Sequence, residues 1–370
     1  MTVAVVTLIG GLIGLVLSGA GIVNGASLIG LRLGLPPLVV GLTIVAAGTS
    51  APELAVTWRA ADAGDPGLAL GNVVGSNIAN ILLVLGLVAL VGAIPIGRRA
   101  RRIELPVMIA ASFVAAGLAL DGSISRIDGL ILVTGLVVYL TWMIVDARRR
   151  HVEVALEGGV GAERPTGRRT LIAIGTFVVG AVGVAVSANF VVSGAEEIAL
   201  ELGVPDLVVG LTVLAIGTSA PEIVTSVIAA VRGEREVAIG NAIGSNVFNL
   251  LFVLGLVSAT TTDLPIADEL IRLDLPVMLA ASLLCVPFAI TRASITRWEG
   301  AAFLGLYVSY TTYVVLDGLE NRVATPFGIA ALVVLAPAIV IATVLETRRH
   351  HYGSTTEGRP STTDNSTVLE

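Results

Sequence analysis

Lysine is absent from the 370 residues, cysteine occurs once, histidine three times, and aromatic residues make up only 4%. One cysteine, Cys285, excludes a disulfide framework or a cysteine-based metal centre within a single chain. His151, His350 and His351 fall in a predicted loop and the tail, where solvation accounts for them. Charge is scarce too, at 14% against 55% hydrophobic residues with a mean hydropathy of +0.92, and this composition excludes a soluble globule of this length. Ten-residue alternating segments are missing, which excludes a β-barrel. What remains is an all-α polytopic membrane protein.

Eleven apolar spans are expected, at about 2–30, 36–60, 66–92, 103–120, 124–146, 170–200, 205–231, 236–258, 272–290, 297–316 and 324–346. The first lacks a basic leading region and reads as a helix, not a signal peptide. The Ser/Thr-rich segment 347–370 reads as a disordered tail.

The chain is duplicated. GLTIVAAGTSAPELAVTW at 41–58 returns as GLTVLAIGTSAPEIVTSV at 210–227, and ALGNVVGSNIANILLVLG at 69–86 returns as AIGNAIGSNVFNLLFVLG at 238–255. Ten and eleven of eighteen positions are identical at one offset of 169, beyond chance composition. Glu104-Leu105-Pro106 is echoed by Asp274-Leu275-Pro276. Each copy, 1–146 and 170–316, holds five expected spans, and an odd number forces the copies into the membrane in opposite senses. The expected architecture is therefore two inverted five-helix repeats, ten core helices, joined by a cytoplasmic loop at 147–169, with an extra C-terminal helix at 324–346. If loops alternate between two sides, eighteen arginines fall on one and four on the other (Arg59, Arg126, Arg272 and Arg322). Positive-inside bias then puts the N-terminus outside and the C-terminus in the cytoplasm of a cell membrane.

Pro52 has no N–H for the carbonyl of Gly48, and Pro221 none for that of Gly217, so both GTSAPE segments should break their spans and free carbonyls. Freed carbonyls survive in hydrocarbon only where they line a cavity or bind something. Thr49, Ser50 and Glu53 lie at helical spacings, as do Ser76 and Asn80; Thr218, Ser219, Glu222, Ser245 and Asn249 repeat them. An acidic group at the midplane costs on the order of 3 kcal/mol and is functional by default, which singles out Glu53 and Glu222. By contrast Gly71-x-x-x-Gly75 and Gly240-x-x-x-Gly244 read as close helix packing, Asn77 and Asn246 as either backbone-bonding or ligating, and Glu104 and Asp274 as helix caps.

Carboxylates, hydroxyls, amides and carbonyls are hard oxygen donors, suited to Ca²⁺ and Na⁺ and unsuited to zinc or copper. The two GTSAPE and GSN segments resemble the paired repeats of the cation/calcium exchanger superfamily, close to its prokaryotic sodium/calcium exchangers, over about 315 residues. That resemblance implies ion sites among the second, third, seventh and eighth helices, and a first and sixth helix that slide together to switch access. Its ligands fall here on Glu53, Glu222, Thr49, Ser50, Ser76, Asn80, Thr218, Ser219, Ser245 and Asn249, with the carbonyls of Ala46, Thr49, Ala215 and Thr218. Amides at both Asn80 and Asn249, where potassium-dependent relatives carry an aspartate at one, and Thr-Ser before each glutamate, where proton-coupled relatives tend to carry an Asn, favour sodium.

Two ionised glutamates give an empty site a charge of −2 that must be neutralised before occlusion, so only the loaded carrier should cross and Na⁺ and Ca²⁺ should compete. The expected function is sodium/calcium antiport by a monomer in the lipid bilayer, with no cofactor, nucleic-acid partner or enzymatic activity. A proton- or potassium-coupled calcium exchanger is the alternative of the same fold; a cation channel or an intramembrane hydrolase fits the residues less well.

Overall fold

The computed structural model describes residues 1–156, 166–209, 215–291, 293–324 and 327–328. Among these, seven helices are long and apolar enough to cross a membrane: Thr2–Leu33, Pro66–Val91, Ala100–Asp121, Arg126–Ala147, Gly167–Glu201, Arg235–Thr260 and Leu270–Ile290. The pair Pro37–Thr49 and Ala51–Asp62, bent by 42°, is long and apolar enough only when taken together, and counted as one broken span it makes an eighth. The expected span at 205–231 is described only in part, as the turn Asp206–Val209, the turn Ala215–Thr218 and the helix Ala220–Val231. Arg297–Gly318 is a 22-residue helix whose Tyr, Thr and Ser residues at 307–313 make it less apolar than the seven. The expected span at 324–346 and the tail lie outside the described residues, save positions 324 and 327–328. His151 lies on a helix that continues from Arg126 to Leu156, past the expected loop boundary.

Local chemistry sets the ends. Gly34 closes the first helix with φ 69°, a left-handed conformation that glycine tolerates, and its N–H reaches back to the Gly30 and Leu31 carbonyls. Asp65 caps the next long helix by accepting the Leu68 N–H at 2.9 Å, with Pro66 at the first helical position. Thr296 and Glu299 form a reciprocal capping box at the start of Arg297–Gly318.

Pro66–Val91 and Arg235–Thr260 form the centre, with 78% and 83% of their apolar windows buried against 22–44% for the other single spans. Around them, contacts recur with the two copies exchanged. Ile94-Pro95 pairs antiparallel with Ser294-Ile295, and Ser123-Ile124 with Leu264-Pro265. Gly129 packs on the Gly255 carbonyl, and Gly300 on that of Gly86. Thr2–Leu33 runs antiparallel against Gly167–Glu201 along nearly its whole length, backbone on backbone. A methyl added at Gly25 would lie 2.7 Å from the Ala173 carbonyl oxygen, and one at its equivalent Gly194 would lie 2.8 Å from that of Ala4. Ser112 and its equivalent Ser282 meet each other at 3.2 Å.

Among the described residues, five π-helical turns interrupt the helices, at Gly41–Val45, Asn80–Val84, Ala100–Glu104, Asn249–Leu254 and Leu270–Asp274. Such wide turns cluster at functional sites because they re-aim side chains. They also correct the reading of Glu104 and Asp274 as caps. A π turn precedes each proline and carries the helix through it, so Glu104 is fully buried and held by Arg99 at 2.8 Å and by the Tyr139 hydroxyl. Asp274 accepts from the Tyr310 hydroxyl at 2.8 Å.

Candidate functional site

The bend in the second span falls at Ser50, where φ −83° and ψ 2° leave the helical region before the chain resumes at Ala51–Asp62. Ser219 repeats the break with φ −86° and ψ 1°. Both short residues sit directly before Ala-Pro-Glu, so each glutamate occupies the first turn of a new helix. That position favours an anion through the exposed N–H groups and the helix dipole. The break does not free every carbonyl in the turn. That of Ala46 still accepts the Ser50 N–H at 2.9 Å and the Thr49 hydroxyl at 3.4 Å.

Glu53 and Glu222 have no exposed surface, and their carboxyl groups are direct neighbours. Each lies on a helix packed against the central helix of its own copy, and each also meets the π turn of the other. The turn opened by Asn80 packs on Ala220–Val231, and the turn opened by Asn249 packs on Ala51–Asp62. Four segments therefore enclose the two carboxylates, with hydroxyls and amides supplied from both copies.

Within this enclosure many oxygens lack a protein partner. Both carboxylate oxygens of Glu53, Oε2 of Glu222, the hydroxyls of Ser50, Ser76 and Ser219, and the amide oxygens of Asn80 and Asn249 are buried without a hydrogen bond. Buried polar groups are normally satisfied, and leaving one unpaired costs about 1–3 kcal/mol. So many acceptors in one region form an electronegative cage that a cation would satisfy. Among the described residues no group of three His, Cys, Asp or Glu side chains could hold a metal. An ion in this enclosure would meet two carboxylates and otherwise neutral oxygens.

The remaining sequence-predicted residues behave differently. Thr49 and Ser245 are buried but engaged: Thr49 Oγ1 lies 3.1 Å from Asn241 Oδ1 and 3.4 Å from Ser245 Oγ, while Ser245 Oγ lies 3.5 Å from Glu222 Oε1. Thr218 is only half-buried. Ala46 is buried, and Ala215 opens the helical turn Ala215–Thr218. Asn77 donates to the Val73 carbonyl of its own helix at 2.7 Å, and Asn246 to Met108 Sδ at 3.4 Å. Gly240 and Gly244 admit the backbone of Leu38 and Leu42, as close helix packing requires. The segment expected to do the same at Gly71 and Gly75 includes 210–214, outside the described residues.

A second pair of amides escaped the sequence reading. Asn72 donates to the Thr57 hydroxyl at 2.9 Å and to the Glu53 carbonyl at 3.3 Å; its equivalent Asn241 donates to Ser226 at 2.9 Å and accepts from Thr49. These amides tie each glutamate helix to the central helix beside it. The signal was present: Asn72, Ser76 and Asn80 are spaced by four, one face of one helix.

Comparison with known proteins gives consistent relatives. A family model described as sodium/calcium exchanger protein matches residues 3–145 and 172–316. A putative antiporter, CaxA, of Alkalimonas amylolytica is 36% identical over 316 residues, covering 84% of this chain and 98% of the relative. The sodium/calcium exchanger MaX1 of Methanosarcina acetivorans is 31% identical over 353 residues, with coverage of 84% and 98%. A solved structure of the sodium-calcium exchanger NCX_Mj, soaked with Na⁺ and Ca²⁺, is similar with a TM-score of 0.71 at 32% identity, covering 83% of this chain and 96% of that one.

Proposed function

The chain belongs to the sodium/calcium exchanger protein family, and from that premise we propose that it is a secondary active antiporter exchanging Na⁺ for Ca²⁺ across the cell membrane. Transport runs by alternating access to a midplane site built on Glu53 and Glu222. One observation carries this reading: seven of the ten side chains that the duplicated motifs imply as ligands, Ser50, Glu53, Ser76, Asn80, Ser219, Glu222 and Asn249, carry buried oxygens without a protein partner. Two carboxylates neutralise one Ca²⁺ fully, and the surrounding hydroxyl and amide oxygens approach the six to eight that Ca²⁺ takes. Na⁺ uses the same oxygens, so the two ions exclude each other and a sodium gradient drives calcium in the opposite direction. Mg²⁺ is discriminated against because it keeps its water and demands small octahedral geometry.

The exchanged contacts support the copies being inverted repeats related by a two-fold axis in the membrane plane. Residues equivalent by duplication meet each other at Ser112 and Ser282, and again at Glu53 and Glu222, as they would on such an axis. Arginine distribution favours the N-terminus outside and the C-terminus in the cytoplasm. The proposed ligand set is complete within one chain, and we take the carrier to work as a monomer.

Sodium-gradient-driven ⁴⁵Ca²⁺ uptake into proteoliposomes tests the assignment. Uptake should follow the imposed Na⁺ gradient, collapse with a sodium ionophore and proceed without K⁺. Uptake driven by a pH gradient in sodium-free medium would replace this reading with proton coupling.

A further inference from the structure

We propose that a cleft between Ala100–Asp121 and Leu270–Ile290, away from the ion cage, is a binding site for an anionic phospholipid. The cleft measures about 570 Å³, within the range of small-molecule sites. It is divided by chemistry. One end carries Arg98, Arg101 and Arg102; the walls beyond are Leu105, Ile109 and Val286. A phosphate-bearing headgroup fits the first part and an acyl chain the second, and basic pockets between membrane helices take such lipids.

Three further observations favour a lipid over solvated arginines. Arg101 spans the cleft, donating to the Ala289 carbonyl of the opposite helix at 3.3 Å, while its Nε is buried with no partner. Among the described residues Arg98 and Arg102 have no carboxylate partner, whereas neighbouring Arg99 is paired with both Glu104 and Asp146. The duplication supplies an internal control. Leu105 and Pro106 recur as Leu275 and Pro276, but the equivalents of Arg98, Arg101 and Arg102 are Asp268, Ile271 and Arg272, and Arg272 is neutralised by Asp268 at 2.9 Å. The apolar frame is repeated and the cationic mouth is not. The site therefore belongs to one face of the membrane, the face on which most of the arginines lie.

The test uses the full chain, delipidated in a neutral detergent, with thermal unfolding and native mass spectrometry as readouts. Phosphatidylglycerol should raise the unfolding temperature saturably, and one tightly held lipid should remain bound at low detergent excess; phosphatidylcholine should do neither. The double variant Arg98→Gln/Arg102→Gln alters two exposed side chains and should weaken phosphatidylglycerol binding by about tenfold or more. Ile109→Trp, which fills the acyl end without altering charge, should weaken it as well. Arg272→Gln, on the other copy, should bind as wild type does. Equal phosphatidylglycerol binding by wild type and the double variant would overturn the site. So would an equal stabilisation by soluble glycerol phosphate, which would mark a plain anion site, or unchanged binding by Ile109→Trp.

Discussion

Glu53 and Glu222 stand at matching places in a duplicated sequence, yet their surroundings differ. Neither oxygen of Glu53 has a partner, whereas Glu222 has Ser245 at 3.5 Å. Thr49 is sealed in the interior and bridges to Asn241 and Ser245 of the other copy; its counterpart Thr218 is half-exposed. Like residues in unlike settings are what a two-fold carrier must show whenever it rests in one of two states. A structure symmetric at this level would open to both sides or to neither. On the proposed reading the half around Thr49 is closed and the half around Thr218 lies nearer the access route.

The largest effect tests what the halves share. Glu53→Gln and Glu222→Gln should each lower sodium-driven calcium uptake by about a hundredfold or more, for a loss near 3 kcal/mol, because each removes half the charge that neutralises Ca²⁺. Both variants should stay folded, and their unfolding temperature in ion-free buffer should rise as carboxylate repulsion is relieved. Robust exchange by either would sink the site assignment.

Next in size is the contrast between the threonines. Thr49→Val should leave the Asn241 amide oxygen without its donor at a cost of about 1–3 kcal/mol, weakening apparent Ca²⁺ affinity roughly tenfold, while Thr218→Val, at a more exposed position, should do clearly less. Equal losses, measured by calcium-dependent thermal shift, would show that the observed asymmetry carries no energetic weight.

A smaller change is expected from charge added to the cage. Asn249→Asp should bring it to −3 and strengthen competition by monovalent ions a few-fold, K⁺ included, and Asn80→Asp should do the same from the other copy. Wild-type uptake should be indifferent to K⁺ at fixed ionic strength and clamped voltage; a requirement for K⁺ would establish the potassium-dependent alternative. The mildest effect is that of pH. Protons compete with cations for the same carboxylate oxygens, so uptake should decline from pH 8 to pH 5 and recover in part when Ca²⁺ is raised. A flat profile would show that neither glutamate is protonated in the transport cycle.

The legible part of this protein was its chemistry. Repetition exposed the GTSAPE and GSN segments, and the rarity of acids in apolar runs exposed Glu53 and Glu222. The position of the break was legible too, because Pro52 must leave a carbonyl unserved whatever the surroundings. The π turns were not. Whether a helix widens at Asn80 or at Ala100 depends on what packs beside it, and no residue type declares it. That is why Glu104, just before Pro106, read as a helix cap. Asn72 and Asn241 were missed for another reason: amides bonded to Thr57 and Ser226 brace the glutamate helices, and counting possible ligands does not reveal a brace.

The two short β-ladders have a mechanical consequence. Each joins a loop of one copy to a loop of the other, Ile94-Pro95 to Ser294-Ile295 and Ser123-Ile124 to Leu264-Pro265. They are seams that stitch both halves into a single chassis, so neither half can rock as a unit without tearing the stitching of its twin. On the proposed reading the motion would fall to the helices left outside the stitching, Thr2–Leu33 and Gly167–Glu201, whose mutual contact sets glycines against backbone and small side chains. On the proposed reading the duplication divides the labour unequally: most of the chain would serve as a stator, and one antiparallel pair as the shuttle.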